Sequence, residues 1–170
     1  MKDFYIIQYV DAYYLYLGTL IPTRLKPHEA CGYVINKGIQ TVVVIVKLKG
    51  EILHVHTKKD ILEGIVIPTS ATAPYDSKKH SKLEKVITQI PIQSSVTVHW
   101  LDVVHVAGLP RYTCAEMYTE GILERVENDH VVLRDPETIR TYPGPIKNHP
   151  VEKPTFYIIP KSFITTIASI

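Results

Sequence analysis

Gly64-Ile65-Val66-Ile67-Pro68-Thr69-Ser70 returns as Phe156-Tyr157-Ile158-Ile159-Pro160-Lys161-Ser162, at an offset of 92 residues. Working outward, Cys31-Gly32-Tyr33-Val34 matches Glu120-Gly121-Ile122-Leu123 at an offset of 89. Tyr9-Val10-Asp11-Ala12 matches Trp100-Leu101-Asp102-Val103 at an offset of 91. Three matches in one order at nearly one spacing indicate an internal duplication. The repeated unit is about 75–80 residues long, below the usual domain size.

Each copy reads as short strands. The first spans Phe4 to Val10 and Val96 to Leu101. After a long loop come Cys31 to Ile35 and Gly121 to Val126, with hairpin turns at Asn36-Lys37-Gly38 and Glu127-Asn128-Asp129. Thr41 to Leu48 and His130 to Arg134 follow, and copy one adds Glu51 to Thr57. The last strands run into Ile67-Pro68 and Ile159-Pro160, where proline cannot serve a central ladder. Lys161 to Ile164 forms a tight turn before a closing strand, Thr165 to Ser169. Thr141 to Pro154 reads as a long exposed loop. Five short strands per copy predict a small, strongly bent barrel, whose closure hides its edges.

Between the copies, Leu83, Val86, Ile87 and Ile90 fall on one helical face. Ser81 and Glu84 have capping-box spacing, and Pro91 ends the run. The expected fold is therefore all-β: two tandem small barrels, 1–76 and 93–170, joined by a basic helical linker at 77–92.

Composition supports this. The chain has 170 residues, 45% apolar and 21% charged, enough to bury a core and too apolar for wholesale disorder. Its net charge of +2 excludes a strongly basic nucleic-acid-coating protein. Charge is uneven: residues 1–85 carry net +4 and residues 86–170 net −2. No apolar run reaches the length of a membrane span, and the N-terminal residues lack signal-peptide features. Cys31 and Cys114 form no motif, which fits a reducing, cytoplasmic setting.

Gly121-Ile122-Leu123-Glu124-Arg125-Val126-Glu127-Asn128-Asp129-His130-Val131-Val132-Leu133-Arg134 resembles the first motif of Sm-like small barrels. Ile159-Pro160-Lys161-Ser162-Phe163-Ile164-Thr165-Thr166-Ile167 resembles the second motif of the bacterial Sm-like RNA chaperones. That resemblance implies an Sm-like or SH3-like barrel and an RNA-contacting role for Lys161. Copy one has Thr69 at that position. Trp100-Leu101-Asp102 and Ile159-Pro160-Lys161 also resemble small phage-encoded barrel proteins of unknown function.

Asp11 and Asp102 occupy matching positions. They read as a repeated acidic site for a cation or a partner's basic group, or as caps of the turn ending the first strand; capping alone accounts for both. His54 and His56 alternate on one strand face, with Glu63 or His28 as conceivable co-ligands, but no further ligand spacing makes this a metal site. His99 and His105 bracket Asp102 without a nucleophile. No phosphate loop, serine elbow or paired zinc cysteines occur, so no catalytic residue and no cofactor is assigned. Lys78, Lys79, Lys82 and Lys85 could meet phosphates or an acidic surface, or form a solvated helix face. Tyr13, Tyr14 and Tyr16 in one long loop, and Arg111 and Tyr112 in its counterpart, could stack on a nucleic acid, line a protein interface, or pack on the barrel.

The sequence expectation is a non-catalytic binding protein, a phage-type accessory factor engaging a host protein. RNA, single-stranded DNA or nucleotide binding is the alternative, and a metal-dependent enzyme a distant third. Homo-oligomers are conceivable, as in Sm-like rings.

Overall fold

The computed structural model describes residues 4–37, 41–46, 63–107, 114–142, 146–147 and 154–170. The predicted strand Glu51 to Thr57, with His54 and His56, lies outside them, as does most of the predicted loop Thr141 to Pro154, of which Thr141, Tyr142, Ile146 and Lys147 are described and lie in strands. The described chain is predominantly β, with one α-helix among the described residues.

Copy one contributes β1 (Phe4–Tyr9), β2 (Tyr13–Leu15), β3 (His28–Lys37), β4 (Thr41–Val46) and β5 (Glu63–Pro68), then a 3₁₀ turn at Thr69–Thr72. Helix α1 (Ser81–Gln89) follows. Copy two contributes β6 (Ser95–Asp102), β7 (Val104–Ala107), β8 (Ala115–Val126), β9 (His130–Tyr142), β10 (Ile146–Lys147) and β11 (Phe156–Pro160). A second 3₁₀ turn, Lys161–Phe163, leads to β12 (Ile164–Ser169). Both prolines stand at the strand ends where their missing N–H costs no ladder bond.

All strand pairings among the described residues are antiparallel, and these strands form two sheets. One has the order β1-β3-β4-β5-β7, the other β12-β6-β8-β9-β11-β2, with β10 on the side of β9. The duplication maps β2 onto β7 and β5 onto β11. Each copy therefore gives its short second strand to the other: Tyr14 pairs with Tyr157 in one sheet, and His105 with Ile65 in the other. Near this pseudo-two-fold axis, the Ser70 hydroxyl donates to the carbonyl of its counterpart Ser162 at 2.7 Å.

One sequence expectation is corrected here. Neither sheet closes into a barrel: β5 of copy one is extended by β7, and β11 of copy two by β2, each a strand of the other copy. The two copies also share a core. One apolar cluster draws Tyr9, Ile65 and Ile67 from copy one and Trp100, Leu123, Leu133, Ile159 and Phe163 from copy two. Pairing of β8 with β9 shifts register at three places, and each bulge adds twist. Gly121 sits at one shift, where a Cβ would lie 3.0 Å from the Arg134 carbonyl oxygen.

Helix α1 buries Ile87 and half-buries Leu83, while Val86 on the predicted face is exposed. The predicted capping box is not formed. His80 is the N-cap and makes no side-chain capping bond. The Glu84 carboxylate is engaged by Lys161 and Tyr75 instead.

Candidate functional site

Asp11 and Asp102 end the first strands of their copies, and each cap is local. The Asp11 Oδ1 accepts the Ala12 N–H at 2.8 Å, and the Val103 N–H bonds Asp102 in the same way. Capping reverses the chain into β2 and β7, the two exchanged strands. The caps also bring the two carboxyls near each other across the axis. Burial first, and the Asp11 charge second, raise Asp102 from the ordinary carboxylate range to about 7.

Aromatic rings pack beside this pair. Tyr14 stacks on Tyr157 with centroids 4.1 Å apart, and Tyr157 meets Trp100 edge-on at 5.5 Å. The Trp100 indole N–H donates to the Thr119 hydroxyl at 3.0 Å, so its one polar atom is satisfied. Burial pushes the Tyr157 hydroxyl well above its usual range, with Asp102 adding to the shift. Cys114 rises to about 12 through burial and the Asp102 charge, which keeps the thiol protonated and non-nucleophilic. His99 is exposed on the face of β6 opposite Trp100 and Asp102, so it forms no dyad with Asp102. No group of three His, Cys, Asp or Glu residues among the described ones is placed to hold a metal ion.

Lys161 is not presented to a ligand, in contrast to the role the Sm resemblance implies. It is 3% exposed. Its ammonium lies 2.9 Å from Glu84 Oε1 and 5.6 Å from the centre of the Tyr75 ring. The 3₁₀ turn after Pro160 directs the side chain under α1, and Glu84 supplies the counter-charge that burial demands. Lys78 and Lys79 are exposed before α1. Lys79 and Lys82 line a groove of about 510 Å³ between α1 and β12. Arg111 and Tyr112 lie outside the described residues.

Of the tyrosine cluster, Tyr13 and Tyr14 are half-buried in β2 and Tyr16 is exposed. Sequence reasoning missed the two leucines beyond them. Leu17 and Leu20 are 89% and 90% exposed. Between them Gly18 has φ +87°, and the Thr19 N–H donates to the Tyr16 carbonyl at 3.0 Å, a turn that wants glycine at its third position. The loop is held at both ends. The Leu15 carbonyl accepts the Thr155 N–H at 2.9 Å, and Asp129 Oδ2 accepts the Leu25 N–H at 3.3 Å. Ile21 and Leu25 pack on Leu15, Val132 and Ile158. Two leucines inside a stretch carrying turn signals were the available clue.

Asp129 also bonds the Nδ1 of His130 at 2.6 Å. With Gln8, Tyr9, Pro27, Pro74 and Tyr75 it lines a cleft of about 300 Å³ where β1 ends. No helix among the described residues is long and apolar enough to cross a membrane. Comparison with family models, with curated proteins and with solved structures found no match to this chain.

Proposed function

We propose that the protein is a non-catalytic interaction protein that engages a partner protein through Tyr16, Leu17 and Leu20. The carrying observation is the pair of fully projecting leucines on a loop whose two ends are fixed. A fixed loop loses little conformational freedom on binding, so burial of its apolar tips counts toward affinity. Each leucine transferred to an apolar recess contributes about 2 kcal/mol. The resemblance to phage small-barrel proteins makes a host protein the expected class of partner. It also supports reading the halves as two Sm-like units that now share strands. The nucleic-acid alternative keeps exposed Lys78 and Lys79, while Lys161 and Tyr14 are engaged inside the molecule.

The test is capture with immobilised full-length protein against the variant carrying both Leu17→Asp and Leu20→Asp. The expected result is a stoichiometric protein retained by the parent and lost by the variant at unchanged melting temperature. Identical recovery by both would overturn the reading.

A further inference from the structure

Val86 belongs to the apolar face of α1 with Leu83, Ile87 and Ile90, yet it is 42% exposed. The groove of about 510 Å³ between α1 and β12 runs beside it. Leu83 and Val86 line the helical side of this groove, and Ile164 and Ile167 of β12 the facing side. Both isoleucines are buried members of the core, so that wall is fixed before anything binds.

The groove has a direction. Lys79 and Lys82 line it at the start of α1, and Val86 lies one turn beyond Lys82, about 6 Å along the axis. No acidic residue is among the described residues that line it. Glu84, on the same helix, is engaged by Lys161. One end is therefore cationic and the rest apolar. The lining is poor in groups that could pair a peptide backbone. It holds no Asn or Gln among the described residues, the Thr165 hydroxyl donates to the His99 carbonyl at 2.9 Å, and the His80 ring stacks on Tyr75 at 4.9 Å. An acyl chain asks for no such partners, and its burial in an apolar recess is favourable by itself.

We propose that this groove binds an amphiphile with an anionic head, of the medium-chain fatty carboxylate class, its head at Lys79 and Lys82 and its chain between Val86 and Ile167. Charge complementarity sets the orientation, and the apolar walls take up the chain. The strands β12 and β2 are opposite ends of the seven-stranded sheet, so the site is apart from the loop of Leu17 and Leu20 and does not rest on the proposed partner.

Titration of the full chain with sodium octanoate, followed through the amide NMR spectrum, tests it. Octanoate is expected to shift the amides of residues 79–86 and 164–167. Lengthening the chain from hexanoate through octanoate to decanoate is expected to tighten binding about two- to fourfold per methylene. Lys79→Glu combined with Lys82→Glu is expected to weaken octanoate about tenfold. Val86→Trp, which fills the groove, is expected to remove the dependence on chain length. All three side chains are exposed, so the variants should otherwise keep the spectrum of the parent. Octylammonium on the parent is a control that needs no variant, and it should leave these amides in place. Leu17→Asp should bind octanoate as the parent does. Octanoate without effect, an equal response to octylammonium, or affinity indifferent to chain length would overturn the proposal. Shifts of the same amides produced instead by an acetylated Glu-Glu-Leu-Leu peptide, or by raising the protein concentration alone, would overturn it in favour of a protein segment or a second copy.

Discussion

At the scale of the residue, Asp102 is the group with the clearest chemical consequence. Its carboxyl ionises near 4 in an unfolded chain and near 7 in the folded one. Between those values the folded state holds the extra proton, so stability falls as pH rises through that window. The cost reaches up to about 4 kcal/mol above the folded value. Melting followed from pH 4.5 to 8.5 should show this decline, and Asp102→Asn should flatten it. An identical slope in the variant would mean that other groups control the response. The position of Asp102 was legible in the sequence, because a turn cap is a local device repeated in both copies. Its coupling to Asp11 was not, since that depends on how two segments 91 residues apart approach.

At the scale of the element, helix α1 is pinned by one buried ion pair. Lys161 is nearly inaccessible, and its stem carries the charge to Glu84 beneath the helix. Removing one partner from such a pair costs about 3–5 kcal/mol, whereas removing both costs far less than the sum. Lys161→Met should therefore lower the unfolding free energy sharply in urea, and adding Glu84→Gln should restore part of it. Additive losses would show that the two groups act separately. The helix itself was readable from the spacing of Leu83, Val86, Ile87 and Ile90, although Val86 is exposed. The work of Glu84 was not. Its spacing from Ser81 matches a capping box, and only the fold brings a lysine 77 positions away to compete for the same carboxylate.

At the scale of the molecule, the two copies are interleaved. The long strands announced themselves through β-branched runs and prolines at their ends. The exchanged strands β2 and β7 did not, because three or four residues carry no periodicity and their partners lie in the other copy. Without that exchange, β11 would lose the strand on its outer edge and Tyr157 its stacked neighbour. Residues 93–170 expressed alone are therefore expected not to form a folded monomer. Sedimentation combined with circular dichroism should find either an unfolded chain or a pair of copies exchanging β7. A monomer melting cooperatively would contradict the interleaving.

The same exchange sets an order of events during synthesis. Tyr14 leaves the ribosome 143 residues ahead of its partner Tyr157. At about 5–20 residues per second, roughly 7–30 seconds separate the two. Through that interval the apolar loop of copy one has no sheet to fix it, and the nascent chain shows its leucines and its uncharged first strand to its surroundings together. The molecule is thus most adhesive before β11 emerges, and the arrival of that strand is the step that makes it safe.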